Sequence, residues 1–110
     1  MPDSRRDHYR VMYPFAERPA LEIGRTSYEV VECSERGLRY DVGERRTPST
    51  GSQVTGRLIF RNGESIDVAG EVARLQQGLV AIVLHRPGIP FAVVMREQRY
   101  LRGKGYQVTD

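Results

Sequence analysis

The constraint that most narrows the folds open to this chain is a series of short alternating segments, each closed by a turn signal. Leu38, Tyr40 and Val42 alternate with Arg39 and Asp41, the period-two pattern of a strand with one buried face. Val54, Leu58 and Phe60 alternate in the same way with Gly56 in register, and Ile66, Val68 and Val72 form another such face. "SYEVVEC" alternates weakly and is rich in Val and Tyr, and "LVAIVL" is a short apolar run suited to a central strand. Between these segments lie "GERRTPSTGS", the Asn62-Gly63 pair of "RNGE" and the "QQG" turn. Asn-Gly is a strong hairpin signal because both residues accept positive φ.

After "HRPGIP" the period changes. Phe91, Val94, Met95, Gln98 and Leu101 fall three or four apart, which marks an amphipathic helix. Arg99, Arg102 and Lys104 crowd its end, where cations suit the helix dipole, and Gly103 and Gly105 can close it. The expectation is an all-β domain with one C-terminal helix: about six short strands over residues 19–86, then a helix over 90–103. Such spacing favours a small antiparallel barrel or sandwich over a βαβ fold. Residues 1–13 are polar and without period, and read as a flexible arm.

Length and composition bound the function classes. With 110 residues, one domain is expected. No apolar run approaches a membrane helix, and "MPDSRRDHYR" has no apolar signal-peptide segment, so a cytoplasmic protein is expected. The single cysteine, Cys33, excludes an internal disulfide, and with His8 and His85 it offers too few spaced ligands for structural zinc. Cys33 sits in a strand pattern, where a buried inert thiol is usual, and Ser34 has no His near it in sequence. The "GKG" at 103–105 lacks the strand and the Ser/Thr of a phosphate loop. No catalytic or metal role is therefore expected.

Of the 17 basic residues, 16 are arginine and only Lys104 is lysine. Arginine presents a planar fork that grips phosphate and stacks on aromatic faces. Arg5, Arg6 and Arg10 form R-R-x-x-x-R, and Glu32, Ser34 and Gly37 form E-x-S-x-x-G at a strand end. Alone, the first is a solvated basic arm and the second a hairpin turn.

Together, the two motifs resemble the PilZ domain. "RPALEI", "YEVVECSERGLRY", "GEVARLQQGLVAIVL" and "PFAVVMREQRYL" extend the likeness over nearly the whole chain. The resemblance implies a six-stranded antiparallel β-barrel with a flanking helix, and a bacterial receptor for cyclic di-GMP that needs no further cofactor. It implies that Arg5, Arg6 and Arg10 wrap the ligand and that Ser34 and Gly37 line a guanine pocket with Glu32; Arg74, at the end of a strand near this surface, is a further candidate, for a stacking contact. Glu32 stands where the family carries Asp or Asn; it keeps the charge and adds one methylene. A downstream protein partner is implied, with the chain acting as monomer or homodimer. A PilZ-like adaptor that binds no nucleotide is the second reading. A single-strand nucleic-acid barrel ranks below it, because the chain has no Trp and 14 acidic residues dilute its positive field.

Overall fold

The computed structural model describes residues 9–107, so Arg5 and Arg6 lie outside the described residues. Seven strands and one α-helix follow one another: β1 (Arg10–Met12), β2 (Ala20–Ile23), β3 (Thr26–Ser34), β4 (Gly37–Asp41), β5 (Gln53–Ile59), β6 (Ser65–Gln76), β7 (Leu79–Leu84) and α1 (Phe91–Gly103). A 3-10 turn, Phe15–Glu17, links β1 to β2. All pairings are antiparallel. The order β3-β2-β5-β6-β7-β4 closes on itself through the β3–β4 ladder, giving a six-stranded antiparallel barrel. The barrel and the C-terminal helix agree with the expectation from sequence.

β1 departs from it. Residues 10–13 are not the end of an arm. Arg10–Met12 pairs with the last residues of β3, outside the closed ring, with Val11 opposite Cys33. Val11 and Tyr13 are buried in the main core, so this stretch has the apolar contacts that hold a strand in place.

The inner face follows the expected alternation. Leu38, Tyr40 and Val42 are buried, as are Val54, Leu58 and Phe60, and Val68 and Val72; Ile66 is only partly so. The Asn62-Gly63 turn forms between β5 and β6, with the Gly63 N–H donating to the Phe60 carbonyl at 2.9 Å. Gln77 and Gly78 both take positive φ, 52° and 83°, in the two-residue turn between β6 and β7. Two glycines let the strands coil tightly enough to close the ring. A Cβ at Gly56 would run into the Glu22 carbonyl of β2, and one at Gly70 into the Val83 carbonyl and the Ile82 side chain of β7.

α1 lies against β1 and β3. It buries Val94, Gln98 and Leu101 of the expected stripe, while Phe91 and Met95 are half-buried. Its far end is fastened to the 3-10 turn through Glu17. The Tyr100 hydroxyl donates to Glu17 Oε1 at 2.8 Å, and Lys104 Nζ donates to Oε2 at 3.0 Å. The Tyr100 bond first, and the Lys104 bond second, hold the Glu17 carboxyl below its ordinary 4.5.

Two outcomes are expected. A group whose pKa is depressed on folding stabilises the fold above its unfolded value, and loses that effect as the pH falls through the folded value. Unfolding followed by circular dichroism should therefore show wild-type stability declining on acidification below about 4.5. Glu17→Gln should remove part of that decline; an unchanged pH profile would remove Glu17 from the docking of α1. Gly70→Ala should cost about 1–3 kcal/mol in urea denaturation, the range for overpacking, and a neutral result would show that β7 yields at that point.

Candidate functional site

Two β-bulges decide which charged side chains reach the barrel's outer surface. In β3 the register against β4 shifts between Val30 and Glu32, leaving Val31 as the extra residue. Val30 and Cys33 are therefore both buried, although three positions apart, and Glu32 and Ser34 turn outward. In β6 the register against β7 shifts between Val72 and Arg74, with Ala73 the extra residue. Val72 is buried, and Arg74, two positions on, is exposed. Without these bulges the period-two pleat would send Glu32 and Arg74 to the core side.

The ladders then align two rows on the outer face. Met12, Glu32, Arg39, Ala81 and Arg74 stand opposite one another across β1, β3, β4, β7 and β6. Beside them run Arg10, Ser34, Gly37, Val83 and Glu71. Arg39 and Arg74 are separated by Ala81 alone, two strand spacings or about 10 Å. The small Gly37 and Ala81 floor a concave site of about 250 Å³, lined also by Arg10, Glu32, Arg39 and Arg74.

Glu32 is the centre of this cluster, and its side chain is only 13% exposed. Oε1 accepts from Arg39 Nε at 2.8 Å and meets Arg39 Nη2 at 2.6 Å. Oε2 accepts from Arg10 Nη1 at 3.4 Å. The Arg74 side chain makes no hydrogen bond or ion pair among the described residues. Three guanidiniums and one carboxylate thus line the described site, which carries two excess positive charges.

The Ser34–Gly37 corner is a braced hairpin. Ser34 Oγ donates to the Gly37 carbonyl at a long 3.4 Å. The Leu84 N–H donates to the Arg36 carbonyl at 2.8 Å, and the Ile89 N–H to the Glu35 carbonyl at 2.9 Å. "HRPGIP" therefore closes over the turn instead of merely ending the barrel. Gly37 does not adopt positive φ; its lack of a side chain matters because a Cβ would lie 3.2 Å from the Ile82 carbonyl.

Of the residues named from sequence, Arg10, Glu32, Gly37 and Arg74 line the one site, and Ser34 stands beside Arg10 in the ladder. Arg5 and Arg6 lie outside the described residues. Sequence reasoning placed Arg39 on the outward phase of its strand but gave it no role. Its place in the site depends on being opposite Glu32, and that follows from the Val31 bulge. The alternation of β4 after Gly37 was the available signal; the register was not.

Beneath the site, β1 is tied to the helix. Gln98 Nε2 donates to the Arg10 carbonyl at 3.0 Å, and the Tyr13 hydroxyl donates to Glu97 Oε1 at 2.6 Å. Tyr13 also lies 3.5 Å from Cys33 Sγ. Burial pushes the Cys33 thiol up to about 12 and raises the Tyr13 phenol well above its ordinary range. Cys33 is therefore held as the unreactive thiol.

An adjoining hollow of about 550 Å³ has Val83, Ala73 and Leu84 among Arg36, Glu71, His85 and Arg86. It meets the arginine site along the outer face of β7, and Val83 is 52% exposed there. A third hollow, of about 400 Å³ near Phe15 and Tyr28, lies away from these groups. No cluster of three or more His, Cys, Asp or Glu able to hold a metal occurs among the described residues. No helix among them is long and apolar enough to cross a membrane. Compared with family models, curated proteins and solved structures, the chain gives no match.

Proposed function

We propose that the chain is a PilZ-type receptor for cyclic di-GMP, bound on the outer face of the barrel. The observation that carries the reading is the meeting of the two sequence motifs: Arg10 stands opposite Ser34, and its guanidinium shares the Glu32 carboxylate with Arg39. Two excess positive charges suit a ligand with two phosphodiester groups. Arg74, whose guanidinium has no partner among the described residues, is placed to grip a phosphate or to lie over a purine face. The adjoining hollow gives room beyond the 250 Å³ of the arginine site, and exposed Val83 offers an apolar surface for a base. Arg6 is four residues before Arg10, so the covalent reach between the two positions is at most about 14 Å. Arg5 and Arg6 are assigned to the same ligand on that ground, and a protein partner would read the liganded face. The reading carries with it a bacterial cytoplasmic setting and no catalytic step.

Calorimetric titration with cyclic di-GMP tests it. Arg10→Ala and Arg74→Ala should each weaken binding by about 1–3 kcal/mol, the range for hydrogen bonds to charged groups. Arg57→Ala, on β5 and paired with Asp67, should bind as wild type does. If wild type gives no binding, the adaptor reading, contact with protein alone, takes its place. If wild type binds and both site variants match it, the ligand sits elsewhere.

A further inference from the structure

We propose that Glu32 is a built-in counter-ion: it occupies the anion site in the free protein, competes with the ligand for Arg10 and Arg39, and so sets the affinity threshold. The inference deepens the proposed nucleotide site and rests on that reading for the identity of the ligand. It assigns Arg39 to the ligand's phosphates and removes Glu32 from the set of groups that attract the ligand.

Three observations lead there. Both carboxylate oxygens are already engaged, Oε1 by two nitrogens of Arg39 and Oε2 by Arg10. The carboxylate is mostly enclosed while the cations around it are more open: the Arg39 and Arg10 side chains are 29% and 52% exposed against 13% for Glu32. The fourth charged group, Arg74, stands across Ala81 with no counter-ion of its own among the described residues. A carboxylate so enclosed has no open face for the N–H edge of a base. To offer one it would have to release Arg39 from Oε1 or Arg10 from Oε2. A phosphate approaching from solvent meets three guanidiniums, two of which it can take from Glu32.

Length is part of the device. Glu32 and Arg39 are direct cross-strand neighbours, and the second methylene of Glu carries its carboxylate to the Arg39 fork. An Asp at this position would hold its charge closer to its own strand and leave Arg39 less firmly paired. The side chain that makes the chain depart from the usual motif is thus the one that reaches its own arginines.

The test uses two probes on the purified chain: inorganic pyrophosphate, which has no base, and cyclic di-GMP. Titrations compare wild type, Glu32→Gln, Glu32→Asp and Arg39→Ala, with thermal melting to confirm that each variant folds. Glu32→Gln should bind pyrophosphate more tightly than wild type by on the order of tenfold, the scale of two released surface ion pairs. Glu32→Asp should gain in the same direction by less, and it serves as the second variant if Glu32→Gln does not fold. Arg39→Ala should lose affinity for both probes. Weaker or unchanged pyrophosphate binding in the folded Glu32 variants overturns the counter-ion role, and so does wild-type affinity in Arg39→Ala. If wild type binds cyclic di-GMP and Glu32→Gln binds it less tightly, Glu32 is a base anchor: the inference falls and the nucleotide reading stands. If Glu32→Gln gains for pyrophosphate while no variant binds cyclic di-GMP, the counter-ion role stands and the nucleotide reading falls.

Discussion

The extra residue at Val31 governs the site because it changes the phase of β3 halfway along. Before it, Val30 points to the core; after it, Cys33 does, and Glu32 and Ser34 point out. The same strand changes neighbours there. β2 pairs with residues 26–29 of β3, and β1 takes over that edge at residues 32–34. The Val31 carbonyl, at the irregularity, accepts from the Tyr13 N–H at 2.9 Å. The bulge thus re-aims a carboxylate, and the same stretch of β3 has an open edge where β1 pairs. The second bulge, at Ala73, turns Arg74 to the same face. Bulges of this kind bend a strand and increase its twist, which also suits a ring of only six strands.

Burying Glu97 behind that surface needs partners, since an unpaired buried carboxylate is very costly. It receives the Tyr13 hydroxyl at 2.6 Å and Arg96 Nη2 at 3.5 Å. Arg96 in turn pairs with Glu64 in the β5–β6 turn and lies over the Phe60 ring. One chain of polar contacts therefore joins Tyr13, just after β1, to α1 and the turn at Asn62-Gly63. It fixes where the helix sits, and apolar packing through Val94 and Leu101 supplies the larger part of the attraction.

Much of the barrel was legible because its inner faces are uniform. Leu38, Tyr40 and Val42 have no polar interruption, and the "RNGE" and "QQG" turns bracket β6 where the residues demand it. The helix was legible from Val94, Gln98 and Leu101. β1 was not, because three residues between Tyr9 and Tyr13 are too few to show a period, and they become a strand only because the end of β3 has an open edge. Arg39 was missed for a related reason. Its phase was readable, but its partner depends on a register that the bulge resets. Buried Glu97 was not legible either, because the group that makes its burial tolerable, Tyr13, is 84 positions away.

The placement of β1 also limits how a ligand at Arg10 can act on the rest of the fold. Val11 and Tyr13 are buried, and exposing side chains of that size costs about 1.5–3 kcal/mol each. A contact with one guanidinium is of comparable size, so it does not detach the strand. What it can shift is the Arg10 end, where the side chain is half-exposed and the backbone carbonyl is bonded to Gln98 of α1. A ligand moves an equilibrium only by the difference in its affinity for the two arrangements. On the proposed reading, that difference lies between Arg10 paired with Glu32 and Arg10 paired with phosphate. Gln98 is the helix residue bonded to that carbonyl, and Glu97 is held through Tyr13, the residue after β1, whose side chain is buried.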